Sequence, residues 1–365
     1  MYICNHNIST EIISPKTEKK RNTMTGKHRV SLKDLAQQLG VSIATVSRAL
    51  HNSPEVGSEM RQRVQALAHE LNYRPNPFAQ SLRSEAPKVI GVVVPNLVTH
   101  YYAAVLDGIE TEARKEGYSV ISANSHELAA DETLAIDNFI GLHVEGIIAC
   151  LAQETTDYSH FEELSRMGIP LVFFGRTCLA DRFSCVTANG DEAAQQATQH
   201  LIDTGSRRIA FLGGPNHLDM VQRRKHGYLE ALRDNRIAID RTLVVCDRID
   251  YQVALQRTNE LLARPDRPDA ILAFNDIITF AAFTAIKQAG LSIPADVALI
   301  GFSDDVHASY TSPRMSVIED QSQLMGQTAC RMLLRHIGGN TKVCKEIVPQ
   351  RLIVRETSAK NGLPV

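Results

Sequence analysis

Val30-Ser-Leu-Lys-Asp-Leu-Ala-Gln-Gln-Leu-Gly-Val-Ser-Ile-Ala-Thr-Val-Ser-Arg-Ala-Leu50 contains two short helical patterns of matched length, separated by a single glycine. Leu32, Leu35, Ala36 and Leu39 recur at i, i+3, i+4 and i+7, which lines one face of a helix. Gly40 stops that helix, and Ser42 is placed to cap the next by accepting an orphan backbone N–H. Val46, Ala49 and Leu50 give the second helix an inner face, leaving Ala44, Thr45, Ser47 and Arg48 outside. The pattern predicts a helix-turn-helix. Small side chains with one arginine on an exposed helix suit the major groove of DNA, where a guanidinium can bond guanine O6 and N7 together. An ordinary helical hairpin with a solvated face shares this periodicity, so the rest of the chain must separate the two.

With 365 residues, 44% of them apolar and 22% charged, the chain is long enough for two or three domains and has the composition of a soluble globular protein. Its longest strongly apolar runs, Val89–Val94 and Ile277–Ile286, fall well short of the roughly 18 residues of a membrane helix. The amino end lacks an apolar stretch after a basic start, which argues against a secretory signal and for a cytoplasmic protein. Seven cysteines without a C-x-x-C pair fit neither a disulfide framework nor a zinc site. The formal charge of −2 conceals an asymmetry: Lys16, Lys19, Lys20, Arg21, Lys27 and Arg29 face only Glu18, whereas residues 30–85 are nearly balanced and the remainder is acidic. Phosphate contact is therefore expected at the amino end, and a head so weakly charged needs two copies to hold DNA.

Residues 1–27 are polar and aperiodic and are expected to form a disordered tail, with Met24 as an alternative start. The helical head is placed at 28–73. Its third helix is expected to be capped by Ser58 and to end at Pro75, with Val64, Leu67, Ala68 and Leu71 closing a core on Val46 and Leu50. Residues 74–86 are a linker, or a short hinge helix opening at Pro77 that forms only when docked. From Lys88 the pattern becomes strand–helix alternation, with apolar runs at Val89–Val94, Ser119–Ala123, Gly146–Cys150, Pro170–Phe174, Arg208–Leu212, Leu243–Cys246, Ala270–Phe274 and Val297–Ile300. Apolar strands covered on both faces mean parallel α/β sheets, and these units exceed one comfortable open sheet. Two doubly wound parallel-sheet lobes over 87–357 are expected, followed by a tail at 358–365. A faint repeat agrees: Val89-Ile-Gly-Val and Lys115-Glu-Gly-Tyr118 parallel Arg208-Ile-Ala-Phe and His226-Gly-Tyr228.

In such a fold the ligand lies at the carboxyl ends of the strands. Tyr101 and Tyr102 follow the first run, Phe174 to Arg176 the fourth, Asn275 and Asp276 the seventh, and Ser303 and Asp304 the eighth; Arg224 lies on the helix after the fifth. Amide, carboxylate and guanidinium groups bond vicinal hydroxyls, and tyrosine faces pack on a sugar ring. No phosphate-cradling glycine motif, nucleophile elbow or H-E-x-x-H occurs, so no catalysis, cofactor or metal is expected.

Leu35-Ala-x-x-Leu-Gly-Val-Ser-x-x-Thr-Val-Ser-Arg-Ala-Leu50, Leu71-Asn-Tyr-Arg-Pro-Asn-Pro77, Ala79-x-Ser-Leu-Arg83, Phe274-Asn-Asp276, Ala289-Gly-Leu-x-Ile-Pro294 and Gly301-Phe-Ser-Asp304 together resemble the lactose-repressor (LacI/GalR) family of bacterial transcription regulators, from about Val30 to Thr357. The resemblance implies two periplasmic-binding-protein-like lobes behind an all-α head. It also implies a homodimer, or a tetramer, on a pseudo-palindromic operator in the bacterial nucleoid. The head would place Ile43, Ala44 and Arg48 on base edges and Thr45 and Ser47 on phosphates, with Ser31, Ser42 and Asn52 as further phosphate candidates. Ala79 and Leu82 belong to the hinge, where Leu82 matches the leucine that wedges into the minor groove; its alternative role is a plain anchor on the core. Positions matching Arg224 and Asn275 contact the effector, a sugar or sugar derivative, and Tyr251 matches a frequently aromatic pocket position.

Two departures bear on the ligand. Gly175-Arg176 stands where many sugar-binding relatives have Asp, and Ser303 replaces the first Asp of Gly-Phe-Asp-Asp. Lost carboxylates beside Arg176 and Arg224 tilt the expectation toward an anionic ligand such as a sugar acid or sugar phosphate, unless either arginine pairs with Asp304 or a surface carboxylate. Near Glu319-Asp-Gln321 the match slips by one residue, and no ligand role is assigned there. Ligand is expected to close or rotate one lobe against the other and change the spacing of the hinges, for which a coupling of about 1–3 kcal/mol suffices in either direction. The competing reading is a solute-binding protein with the same core; residues 28–85 stand where such a protein carries an export signal.

Overall fold

The computed structural model describes residues 30–73, 88–303 and 306–360. The expected tail at 1–27, the hinge at 74–86 with Ala79 and Leu82, and Asp304 lie outside the described residues. The chain divides into two compact units, with the boundary between Arg83 and Ser84.

The first unit contains α1 (Leu32–Leu39), α2 (Ile43–Leu50) and α3 (Ser58–Glu70). Ser31 and Asp34 close the start of α1 reciprocally. Ser31 Oγ accepts the Asp34 N–H at 3.3 Å, and the Asp34 carboxylate accepts the Ser31 N–H at 2.8 Å. Gly40 ends the helix at φ +65°, a left-handed conformation that a side chain would strain. Ser42 caps α2, its Oγ accepting the Thr45 N–H at 3.1 Å. The third helix departs from expectation: its cap is Gly57, which forms no side-chain bond, and Ser58 is already helical. Val56 is pinned in the core, which brings the cap position one residue forward. Leu35, Ala36, Val46, Ala49, Val56, Val64 and Ala68 form that core, where each buried Leu or Val contributes roughly 1.5–3 kcal/mol.

The second unit contains two six-stranded sheets. One is wholly parallel and is ordered β11-β5-β4-β3-β1-β2, from β1 (Val89–Val94), β2 (Ser119–Asn124), β3 (Gly146–Ala149), β4 (Leu171–Phe174), β5 (Ser184–Ala188) and β11 (Lys345–Val348). It is flanked by α4 (His100–Lys115), α5 (Ala129–Gly141), α6 (Ser159–Met167) and α11 (Ser322–Ile337). The other is ordered β12-β10-β9-β8-β6-β7, from β6 (Ile209–Gly213), β7 (Val244–Cys246), β8 (Ala270–Ala273), β9 (Ala298–Phe302), β10 (Ser316–Glu319) and β12 (Arg351–Ile353). Its helices are α7 (Gly190–Asp203), α8 (Asp219–Asp234), α9 (Tyr251–Leu262) and α10 (Asp276–Gln288). Each expected apolar run is a strand. β5, β10, β11 and β12 are additional, and β12 pairs antiparallel with β10, an edge strand on an otherwise parallel sheet.

The chain crosses between the lobes three times, after β5, after β10 and after β11, so each lobe is assembled from separated segments. Glycine sets the spacing of two helix pairs. A Cβ at Gly108 of α4 would stand 2.2 Å from Gln323 O, and one at Gly326 of α11 would stand 2.0 Å from Val105 O. On the other lobe a Cβ at Gly227 of α8 would stand 1.9 Å from Asp191 O of α7. The packed core also runs beyond residue 357. Ser358 is buried and bonds Ser316 Oγ at 2.7 Å, and Lys360 Nζ donates to Asp269 O at 2.9 Å, so the expected tail at 358–365 begins inside the fold. Among the described residues no helix is long and apolar enough to cross a membrane.

Candidate functional site

On the first unit, α2 presents Ile43, Ala44 and Arg48 to solvent, while Thr45 and Ser47 are half-buried beside them. Ile43 is 40% exposed, an unusual position for a large apolar side chain and one suited to a partner's methyl groups. Arg48 Nε lies 3.2 Å from Glu55, with both side chains exposed. A pair of that kind is worth about 0–1 kcal/mol and does not hold the guanidinium back from a base. The phosphate candidates are locally engaged. Ser31 Oγ donates to Asp34 Oδ2 at 2.7 Å, which places a carboxylate where a phosphate would have to approach and counts against Ser31. Ser42 Oγ lies 2.9 Å from Thr45 Oγ1, and Asn52 Oδ1 accepts from Gln65 Nε2 at 2.9 Å.

In the second unit a cavity enclosing about 50 Å³ lies where the carboxyl ends of the two sheets face each other. One wall comprises Asn96, Thr99, Tyr101, Tyr102, Glu127, Cys150 and Arg176. The other comprises Met220, Arg224, Ile249, Phe274, Asn275, Asp276, Ile277 and Asp320. Arg176, 5% exposed, is clamped by Glu127 at 2.6 and 3.0 Å and also donates to Leu151 O at 3.2 Å. Burial disfavours its charge, but the carboxylate prevails and holds the guanidinium well above its ordinary value. Arg224, 3% exposed, donates to Asp320 at 3.0 Å and to Phe274 O, and lies 3.6 Å from the centre of the Phe302 ring. Burial lowers its pKa despite Asp320. Burial also raises the Tyr102 hydroxyl well above the usual range and pushes the Cys150 thiol up to about 11, so both are neutral near neutral pH.

Two polar atoms on opposite walls, Thr99 Oγ1 and Arg224 Nε, are buried without a hydrogen-bond partner. Asn275 spends its carbonyl oxygen capping α10, where it accepts the Ile278 N–H at 3.1 Å, and so offers the cavity its amide N–H groups. An unpaired buried polar atom costs about 1–3 kcal/mol.

Of the residues expected at the cleft, Tyr101, Tyr102, Arg176, Arg224, Asn275 and Asp276 line the cavity. Phe174, Ser303 and Tyr251 do not. Phe174 is fully buried behind the wall and packs edge-on against Tyr102, with ring centres 6.4 Å apart. Ser303 is 2% exposed at the end of β9. Tyr251, in the first turn of α9, turns toward α10, where its hydroxyl donates to Thr284 Oγ1 at 3.0 Å. Asp320, to which no role was assigned, carries the carboxylate beside Arg224. Glu127 and Thr99 follow their strands through loops without an apolar signature. The expectation of an anionic ligand is not supported, because each arginine already has a buried or half-buried carboxylate partner, and Asp276 adds a further acid to the wall. Gly175 also accounts for the missing Asp. It sits at φ +65°, and a Cβ there would stand 2.9 Å from Tyr101 Oη, which fills that space.

The profile of bacterial regulatory proteins, lacI family, matches residues 31–76, and that of the periplasmic binding protein-like domain matches 198–358. The chain is 34% identical over 304 residues to the ribose operon repressor of Bacillus subtilis, covering 83% of this chain and 90% of that one. It is similar to a structure of the lac repressor dimer bound to operator and the anti-inducer ONPF, with TM-score 0.78 and 26% identity over 91% of this chain and 99% of that one. It is also similar to a complex of the transcriptional regulator CelR with cellobiose, with TM-score 0.69 and 28% identity over 90% and 100%. The chain belongs to the lacI family of bacterial regulatory proteins.

Proposed function

We propose that this chain is a DNA-binding transcriptional repressor whose hold on a pseudo-palindromic operator is set by a neutral carbohydrate in the cleft between its lobes. The observation that carries the ligand class is the wall itself: paired arginines, an excess carboxylate and two tyrosines. Hydroxyl groups satisfy donors and acceptors together, whereas a phosphate or carboxylate would meet Glu127, Asp276 and Asp320. Tyr101, Tyr102, Arg176, Arg224, Asn275, Asp276 and Asp320 are assigned to the effector. Ile43, Ala44 and Arg48 are assigned to base edges, Thr45, Ser47, Ser42 and Asn52 to phosphates, and Ala79 and Leu82 to the hinge. The chain acts as a homodimer at the nucleoid, by binding rather than catalysis, as its relative does in the lac repressor dimer on operator. The cavity is lined from both lobes, so a sugar bound there contacts both, and this couples occupancy to their relative position and to the hinges.

The test has two arms. Neutral pentoses, hexoses and disaccharides are compared with sugar acids and sugar phosphates by thermal shift, since a ligand that binds only the native state raises its melting temperature. The full chain is then used to select duplexes from a random pool. A neutral sugar that stabilises the protein and shifts its affinity for a selected palindrome is the expected outcome. Stabilisation by sugar acids or phosphates alone overturns the ligand class, and selection of no preferred sequence overturns the repressor role.

A further inference from the structure

One chain of bonds starts on the cavity wall and ends on the opposite lobe. His126 and Glu127 are consecutive non-glycine residues at φ +50° and +64°, a strained pair that persists only where surrounding contacts over-determine it. The Glu127 N–H donates to Pro95 O at 3.2 Å, and its carboxylate takes both Arg176 bonds together with the Gln153 N–H at 2.8 Å. Gln153 lies on the loop after β3. That loop is fixed a second time by the fully buried Glu132, which accepts the Ala152 N–H and the Thr155 hydroxyl, each at 2.7 Å. From this platform the 6%-exposed Gln153 reaches across, and its Oε1 accepts the N–H of Ile249 at 2.8 Å. Ile249 follows β7 in the other lobe and lines the cavity.

We infer that Gln153 is a latch that holds the two lobes together beside the cleft, with Glu127 as the residue that positions it. The bond is buried and far from the three crossings in sequence, and it joins a side chain of one lobe to the backbone of the other. Parting the lobes must break it. Its acceptor end meets Ile249, which lines the cavity, so movement of that wall and the latch bond are coupled. The latch thus sets how readily the lobes part over the site, whichever ligand the cleft accepts.

Hydrogen exchange followed by mass spectrometry on the full, unliganded chain tests this. Gln153→Met is close in shape but has no acceptor. It is expected to raise exchange in segments 99–106, 247–253 and 275–282, on both cavity walls, by roughly fivefold to tenfold, the scale of one net hydrogen bond. Thr155→Val loosens the same loop without touching the other lobe and is expected to raise exchange only near 150–160. Melting temperatures within a few degrees of the parent show that both variants fold. Faster exchange confined to the Ile249 amide, no change at the walls, or the same two-lobed pattern in Thr155→Val each overturns the latch.

Discussion

Replacing Arg224 by leucine removes one member of a buried ion pair and leaves the other. Asp320 would then sit in the interior without Arg224, its bond from the Gln350 amide retained. An uncompensated buried charge costs about 3–5 kcal/mol. Removal of the Arg224 Nε–H, which has no partner, returns about 1–3 kcal/mol of desolvation cost. The difference is a loss of about 2 kcal/mol, or roughly 4–8 °C in melting temperature for a domain of this size. The double variant Arg224→Leu with Asp320→Leu decides whether the pair itself is the cause. Exchanging both members of a buried pair for apolar groups is often neutral, so the double variant should recover most of the loss. Calorimetry of the parent, the two single variants and the double variant closes the cycle. If the double variant is as unstable as the sum of the singles, the two residues act independently and the reasoning fails.

Arg48→Ala should weaken operator binding by about 1–3 kcal/mol and relax specificity at one base pair per half-site; equal loss on every sequence, read by anisotropy, would refute a base contact. The isolated head, residues 28–73, should lose specific binding that the dimeric chain retains in the same titration, because a single head carries so little net charge. His200 is half-buried, and burial lowers its pKa below the usual 6.5 despite its bond to Ser358. Its contribution to stability is therefore present above pH 6.5 and is lost as pH falls from there through the folded-state value, and His200→Gln should flatten that part of the melting curve against pH. Cys150, its thiol raised to about 11, should resist alkylation in native protein at about pH 8 and react once urea unfolds it, as peptide mass spectrometry would show.

The first two helices of the head were legible down to their caps because Leu32, Leu35, Ala36 and Leu39, Gly40 and Ser42 act over one helical turn, a range that spacing encodes; the bounds of α3, which starts from Gly57 and ends at Glu70, short of Pro75, were not. The strands flanked by helices were legible for the same reason: Val89–Val94 or Ala270–Ala273 must be apolar on both faces. β5, Ser-Cys-Val-Thr-Ala, and the edge strand β11, with Lys345 and Ile347 exposed or half-exposed, carry no such mark. The cleft split along the same line. Tyr101, Asn275 and Asp276 could be placed because they follow recognisable strands. The charge state of the site could not, because the carboxylates that neutralise Arg176 and Arg224 lie 49 and 96 residues away in sequence and meet them only through the fold. Tyr251 illustrates the converse: one turn of α9 aims it at Thr284 rather than at the ligand, a direction no spacing reveals.

The three crossings have a consequence for how the protein is made. β1 to β5 emerge from the ribosome early, but the helix that packs on α4 through Gly326 and the strand that covers the β5 edge arrive only with residues 322–348. At about 5–20 residues per second, synthesis of the intervening β6–β10 lobe takes roughly six to twenty-six seconds. For that interval the nascent first lobe exposes an unpaired parallel edge at β5 and a bare apolar strip on α4, the kind of surface that chaperones bind and that neighbouring nascent chains can pair with. Completion of the first lobe therefore waits on the last part of the chain to be translated, and slow translation between residues 190 and 320 would lengthen its most aggregation-prone state.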